Sequence, residues 1–186
     1  MPFVVLKFGG TSVSSAANWR NIALVVRDRL AEGLQPVVVH SALSKITDSL
    51  EALLARSLSG GYEEVLATID KRHRDLARDL GIELPAGVER LLAELAQIAA
   101  GLALIGELSD RIRARVMSTG ELMATELGAA FLNAQGIATT LVDARSVLVA
   151  EERKGATEKA SILSATCTFD PDPALQQRFA AMGTVV

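Results

Sequence analysis

The sequence predicts an α/β protein built on a parallel sheet, and three observations carry that expectation. Residues 3–8 (Phe-Val-Val-Leu-Lys-Phe) are a short, β-branched apolar run stopped by Gly9-Gly10, which reads as a buried strand ending in a glycine turn. Residues 16–32 place Trp19, Ile22, Ala23, Val26 and Leu30 at helical spacing. Residues 36–40 form a second, valine-rich apolar run, so strand, helix and strand fall within the first forty residues. That order is a βαβ unit, whose strands run parallel and whose crossover is right-handed.

The elements follow in order. Ser15 is placed to cap the first helix and Gly33 to stop it. After Ser41 the pattern becomes helical: residues 47–57 carry Leu50, Leu53 and Leu54 on one side, and residues 62–80 lie between Gly60-Gly61 and a break at 81–85. Residues 88–116 read as a further helix with a stripe of Leu91, Leu92, Leu95, Ile98, Ala99 and Leu102, although Gly101 and Gly106 weaken one continuous rod. No Pro/Ser-rich linker brackets these helices, so they are expected as an insertion outside the sheet rather than a separate domain. The α/β pattern resumes at Ser118 with a helix over 121–135 and a third strand over 137–142, ending at Asp143. Residues 147–149 start a further strand, 151–155 read as a solvated charged turn, and 161–169 as another strand. A helix over 174–181 and the entry to one more strand at 183–186 close the chain, which therefore reads as truncated.

Composition narrows the function. With 186 residues, 49% of them hydrophobic, the chain can bury a core without staples. Lys and Arg total 19 against 22 Asp and Glu, a net charge of −3, which argues against nucleic-acid binding by phosphate neutralisation. The single cysteine, Cys167, excludes an internal disulfide and a cysteine zinc cluster, and His40 and His73 are too few for a histidine metal site. Cys167 is expected as a small buried hydrophobe and His40 as a packed histidine with its hydrogen bonds satisfied. No apolar run approaches a membrane span and no basic-then-apolar leader is present, so a cytoplasmic protein with no membrane partner is expected.

Three segments carry residues suited to chemistry. Lys7-Phe8-Gly9-Gly10-Thr11-Ser12 puts a lysine at a strand's carboxyl end, then two glycines and two hydroxyls before a helix. Open parallel sheets bind ligands at that edge, and adjacent glycines let backbone amides approach an anion. The lysine precedes the glycines, so this is not a Walker A loop, and a plain strand-to-helix turn fits as well. Ser41–Asp48 opens at the same edge: Ser44 or Thr47 would serve as an ordinary N-cap, and Ser41 and Thr47 equally as hydrogen-bonding groups for a small polar substrate. Ser118-Thr119-Gly120-Glu121 fits a capping box, yet Glu121 could also face the cleft and hold a cation.

Taken together, Lys7-Phe8-Gly9-Gly10-Thr11-Ser12-Val13, residues 37–48, residues 118–124 and Val142-Asp143-Ala144-Arg145 resemble, in order and spacing, the aspartate kinases of the amino-acid kinase superfamily. The resemblance implies a carbamate-kinase-like sandwich around a parallel sheet, truncated here, with a helical insertion over about 57–117. It implies phosphoryl transfer from Mg-ATP to the side-chain carboxylate of L-aspartate, the entry to lysine, threonine and methionine synthesis. Carried over, Lys7 is the catalytic residue, and Lys7, Phe8, Gly9 and Gly10 hold the nucleotide's phosphates. Ser41, Thr47 and Glu121 bind aspartate, with Glu121 on its ammonium group. ATP and Mg2+ are the implied cofactors, with no protein ligand assigned to the metal, and a homo-oligomer is left open.

Two departures stand out. Lys45 occupies a position where many members of the family have glycine. The family's Gly-Arg-Gly-Gly-Ser-Asp segment, its nucleotide-binding half and its paired ACT domains have no counterpart, so residues 1–186 are expected to be the aspartate-binding lobe, inactive alone. Acetylglutamate, glutamate or uridylate kinase remains the alternative within the superfamily, and a non-catalytic interaction module the alternative outside it.

Overall fold

The computed structural model describes residues 1–151, 155, 157–163, 166–168 and 170–186. Among them, β1 (Phe3–Phe8), β2 (Gln35–His40), β3 (Thr139–Thr140) and β4 (Thr184–Val185) form one parallel sheet in the order β1-β2-β4-β3. The three strands expected in one parallel sheet are in it, but β4, built from the final expected strand, lies between β2 and β3. Its register pairs Val185 with both Val37 and Thr140. The third strand is shorter than its apolar run, although the Val142 N–H still donates to the Val186 carbonyl at 2.8 Å.

The period-2 pattern divides the sheet's faces. Leu6, Phe8 and Val38 pack into the core, whereas Val5, Lys7 and Val39 are exposed. The packed face lies under α1 (Ala16–Ala31) and α5 (Asp110–Ala134). As expected, Ser15 caps α1, accepting from the Asn18 N–H at 3.3 Å, and Gly33 (φ 75°) lets the chain turn out of it. Trp19 is fully buried, its indole N–H donating to the Val13 carbonyl at 2.9 Å, and Gly128 on α5 leaves the space its ring fills.

Outside this pair lie α2 (Ile46–Ser59), α3 (Tyr62–Leu80) and α4 (Ala86–Ile105), with α2 touching α3, α4 and α5. The expected single helix over 88–116 is two. Gly106, at φ 75°, ends α4, and the Ser109 hydroxyl caps α5 by accepting from the Ile112 N–H at 3.3 Å. The second half then runs without a break through Ser118 into the stretch expected as a separate helix over 121–135.

Two strand expectations fail. Residues 147–149 form no strand; the chain makes a 3₁₀ turn at Ala144–Ser146, and Ala150 then bridges singly to Cys167. Residues 161–163 belong to helix α6 (Glu158–Leu163), because the Thr157 hydroxyl accepts from the Ala160 N–H at 3.2 Å and starts a helical turn. The rest of that run includes residues 164, 165 and 169, and the expected charged turn includes 152–154, all outside the described residues. Cys167 is half-buried rather than buried. Helix α7 (Pro173–Ala180) follows its Asp172 cap, one residue from the expected start.

Candidate functional site

The glycine turn after β1 is held from within. The Ser12 N–H donates to the Gly9 carbonyl and the Asn18 side-chain amide to the Thr11 carbonyl, both at 2.9 Å. Lys7 sits one residue before the strand ends, opposite Val39, and is exposed. It makes no hydrogen bond or ion pair among the described residues, leaving its ammonium available to an anion.

The loop after β2 lies directly against this turn. The Ser41 N–H donates to the Phe8 carbonyl at 3.2 Å, and a Cβ on Gly10 would stand 2.8 Å from the Ala42 carbonyl oxygen. Neither Ser44 nor Thr47 caps α2. Its N-cap position is Lys45, in the left-handed region at φ 69°, and no side chain caps there. Only glycine takes that backbone conformation freely, so the lysine side chain is strained there. Thr47 is exposed in the first turn of α2 and its hydroxyl makes no hydrogen bond among the described residues.

Helix α5 brings the third segment in. Ser118 is no helix start, so the expected capping box does not form; its hydroxyl donates back to the Arg115 carbonyl at 2.9 Å, inside the helix. Gly120 is the residue that allows contact: a Cβ there would lie 3.0 Å from the Ala42 methyl and 3.1 Å from Leu50 Cδ1. The close approach lets Glu121 Oε1 accept from the Ala42 N–H at 3.5 Å. Gly10, Ala42 and Gly120 thus form one contact, to which sequence reasoning assigned only Gly10. A glycine inside an Ala/Leu-rich helix was the signal for the other side of it.

Lys7, Gly9, Gly10, Ser41 and Glu121 therefore gather at the carboxyl edge of β1 and β2. Thr47 stands on the adjoining helix, with no side-chain hydrogen bond to the others among the described residues. Beside them opens a cleft of about 440 Å³, lined by Val39, His40, Glu121, Arg145, Phe179 and Val186 among others. His40 lies at its wall, edge-on to Trp19 with ring centroids 5.5 Å apart and Nδ1 3.1 Å from the Ser41 carbonyl. Burial pushes its pKa down, opposed by the Ser41 carbonyl and by the Glu121 charge. It is packed as expected, though its Nε2 has no partner among the described residues. At the cleft's rim Arg145 grips Asp143 at 2.7 Å and donates to the Ser118 hydroxyl at 3.1 Å. The guanidinium holds the Asp143 carboxyl below the usual carboxylate range.

Residues 2–168 match the amino acid kinase family. The chain belongs to that family. Within it, the chain is 34% identical over 145 residues to aspartokinase 1, chloroplastic, of Arabidopsis thaliana, covering 75% of this chain and 25% of the relative. It is 33% identical over 154 residues to the aspartokinase of Chlamydia pneumoniae, covering 82% of this chain and 32% of the relative. Among solved structures it resembles E. coli aspartokinase III in complex with aspartate and ADP, with a TM-score of 0.73 and 26% identity, over all of this chain and 40% of that one. This amino acid kinase chain thus spans a quarter to two-fifths of the length of these three relatives.

The exposed ammonium of Lys7 and the backbone of the glycine turn are groups suited to an anion. Among the described residues no three Asp, Glu, His or Cys side chains gather as a metal-ligating group. No described helix is long and apolar enough to cross a membrane.

Proposed function

We propose that this chain is the aspartate-binding lobe of a longer aspartate kinase, which transfers the γ-phosphoryl group of ATP to the β-carboxylate of L-aspartate. The observation that carries the reading is the contact at Ala42, which sets a glycine turn that follows an exposed lysine beside a carboxylate and a serine hydroxyl. An amino acid with an anionic acceptor needs those two sides: an anion for its ammonium, and cations or amide donors for the phosphoryl group. The names of the relatives favour aspartate over acetylglutamate, glutamate or uridylate as acceptor.

Glu121 would bind the substrate ammonium, with Ser41 and Thr47 donating to its carboxylates. Lys7 would neutralise charge on the phosphoryl oxygens as it moves, with Phe8, Gly9 and Gly10 supplying the backbone cradle. Phosphoryl transfer is largely positioning and charge stabilisation, so this lobe needs no covalent nucleophile. The nucleotide base, most of the metal's environment and the remaining grip on aspartate would come from the part of the enzyme beyond this lobe. Mg2+ would arrive bound to the nucleotide, where it shields the phosphates. We place the enzyme in the cytoplasm, at the head of lysine, threonine and methionine synthesis. The exposed Val5 and Val39 on the open sheet face would favour self-association of the lobe alone.

The test is ADP release from the longer enzyme, with Mg-ATP and L-aspartate, L-glutamate, N-acetylglutamate or UMP as acceptor. Release only with L-aspartate is expected; preference for another acceptor overturns the reading.

A further inference from the structure

The Ser14 hydroxyl ties the two loops of the site together. It donates to the Gly10 carbonyl at 2.5 Å and accepts from the Ser44 N–H at 2.7 Å. One hydroxyl thus spans the glycine turn and the loop that leads to α2. The carbonyl of the same residue accepts from Arg72 Nη2 at 3.1 Å, across 58 residues of chain. Arg72 lies on α3, in the helical layer, and is half-buried there. No other described side chain hydrogen-bonds both loops.

We propose that Ser14 and Arg72 form a latch that positions the phosphate side of the site against the aspartate side, and that the helical layer acts on the reaction through it. This rests on the functional reading above. Lys7 and the glycine turn are on one side of the latch; Ser41, Ala42 and, through Ala42, Glu121 are on the other. The two loops already touch at Gly10 and Ala42, so sterics set how near they come. The β1–β2 ladder fixes the roots of the two loops up to the Ser41 bond to Phe8, and contact alone leaves their tips free to shift. The directed bonds to Gly10 and Ser44 remove that freedom, and Arg72 fixes the residue that makes them. In-line transfer is sensitive to such movement: a shift of about 1 Å can cost about 10²-fold in rate. Ser14 and Arg72 act through the two loops, so their proposed role is that of positioning residues.

Three variants test it: Ser14→Ala, Ser14→Thr, which keeps a hydroxyl, and Arg72→Met, which keeps much of the packing. Amide hydrogen exchange on the 186-residue chain reads the latch directly. Ser14→Ala should speed exchange of the Ser44 N–H about tenfold, since a partly buried amide loses its acceptor, while buried α5 amides keep their protection. In the longer enzyme Ser14→Ala and Arg72→Met should each lower kcat about tenfold with little change in Tm. Ser14→Thr should restore most of the rate. Unchanged Ser44 exchange, or unchanged kcat in an active enzyme, overturns the latch. A rate loss that Ser14→Thr fails to restore, or that follows Tm, overturns the positioning role. Wild-type enzyme without aspartate kinase activity overturns the functional reading instead, which the parallel wild-type assay tells apart.

Discussion

A methyl group on Gly10 would stand 2.8 Å from the Ala42 carbonyl oxygen, and one on Gly120 would stand 3.0 Å from the Ala42 methyl on another side. Ala42 is thus held between the first glycine turn and the fifth helix. The atom opposing Gly10 is backbone and cannot rotate away. Gly10→Ala should therefore push the Ser41–Ser44 loop outward and cost about 1–3 kcal/mol, the usual cost of overpacking. Urea unfolding checks it; a variant as stable as wild type would show that the loop yields freely.

Gly128→Ala should be at least as damaging. Its Cβ would clash with Cη2 at the edge of the six-membered ring of Trp19, which is fully buried and anchored by its bond to Val13. The indole must leave its position, so a loss of about 1–3 kcal/mol or more should come with a changed tryptophan emission. Trp19 is the only tryptophan, so the spectrum reports that site alone.

Lys45→Gly should stabilise the protein. A side chain in the left-handed region costs about 1–2 kcal/mol, partly offset by the extra freedom glycine has when unfolded. A net gain of about 0.5–1 kcal/mol in denaturant unfolding is expected, and any loss would mean that Lys45 contributes a contact of its own.

The βαβ start was legible because its signals are local. Ser15 caps, Gly33 stops, and the runs at 3–8 and 36–40 are apolar and bounded. The start of α5 was not legible, because Ser109 and Ser118 are both good caps in sequence. What decides between them is the turn at Gly106 and the need for Gly120 to lie against Ala42 within a helix. Residues 161–163 misled for a similar reason: a hydroxyl four residues earlier starts a helix that the alternation hides. The site's members were read from motif and position. Their meeting at Ala42 depends on a glycine whose role appears only in packing.

Stability should fall as the pH drops below about 6.5, the ordinary histidine value. His73 on α3 is wholly inaccessible, bonded through Nδ1 to the Ile69 carbonyl at 2.8 Å, and burial pushes its pKa down. His40 is shifted the same way. The unfolded chain then takes up protons that the folded chain resists. These histidines' contribution is complete above their unfolded pKa and is lost as the pH falls toward the folded values. His73→Leu should flatten the slope of stability against pH between about 6.5 and 5, leaving the part due to His40. An unchanged slope would remove His73 from the account.

In the longer enzyme, Lys7→Ala should lower kcat by about 10²–10³-fold, as for a donor used mainly in the transition state. Glu121→Gln should mainly raise the KM for L-aspartate, because its charge contact exists before and during transfer. The reverse split would exchange the two roles.

The most direct measurement is a coupled assay of ADP release under saturating Mg-ATP, comparing the 186-residue chain with the longer enzyme across L-aspartate, L-glutamate, N-acetylglutamate and UMP. A lobe that supplies only the aspartate side of a shared site predicts release from the longer enzyme with L-aspartate alone, and turnover by the 186-residue chain more than about tenfold lower, because positioning by the rest of the enzyme is lost. Comparable turnover by the isolated chain, or a preferred acceptor other than L-aspartate, would contradict it.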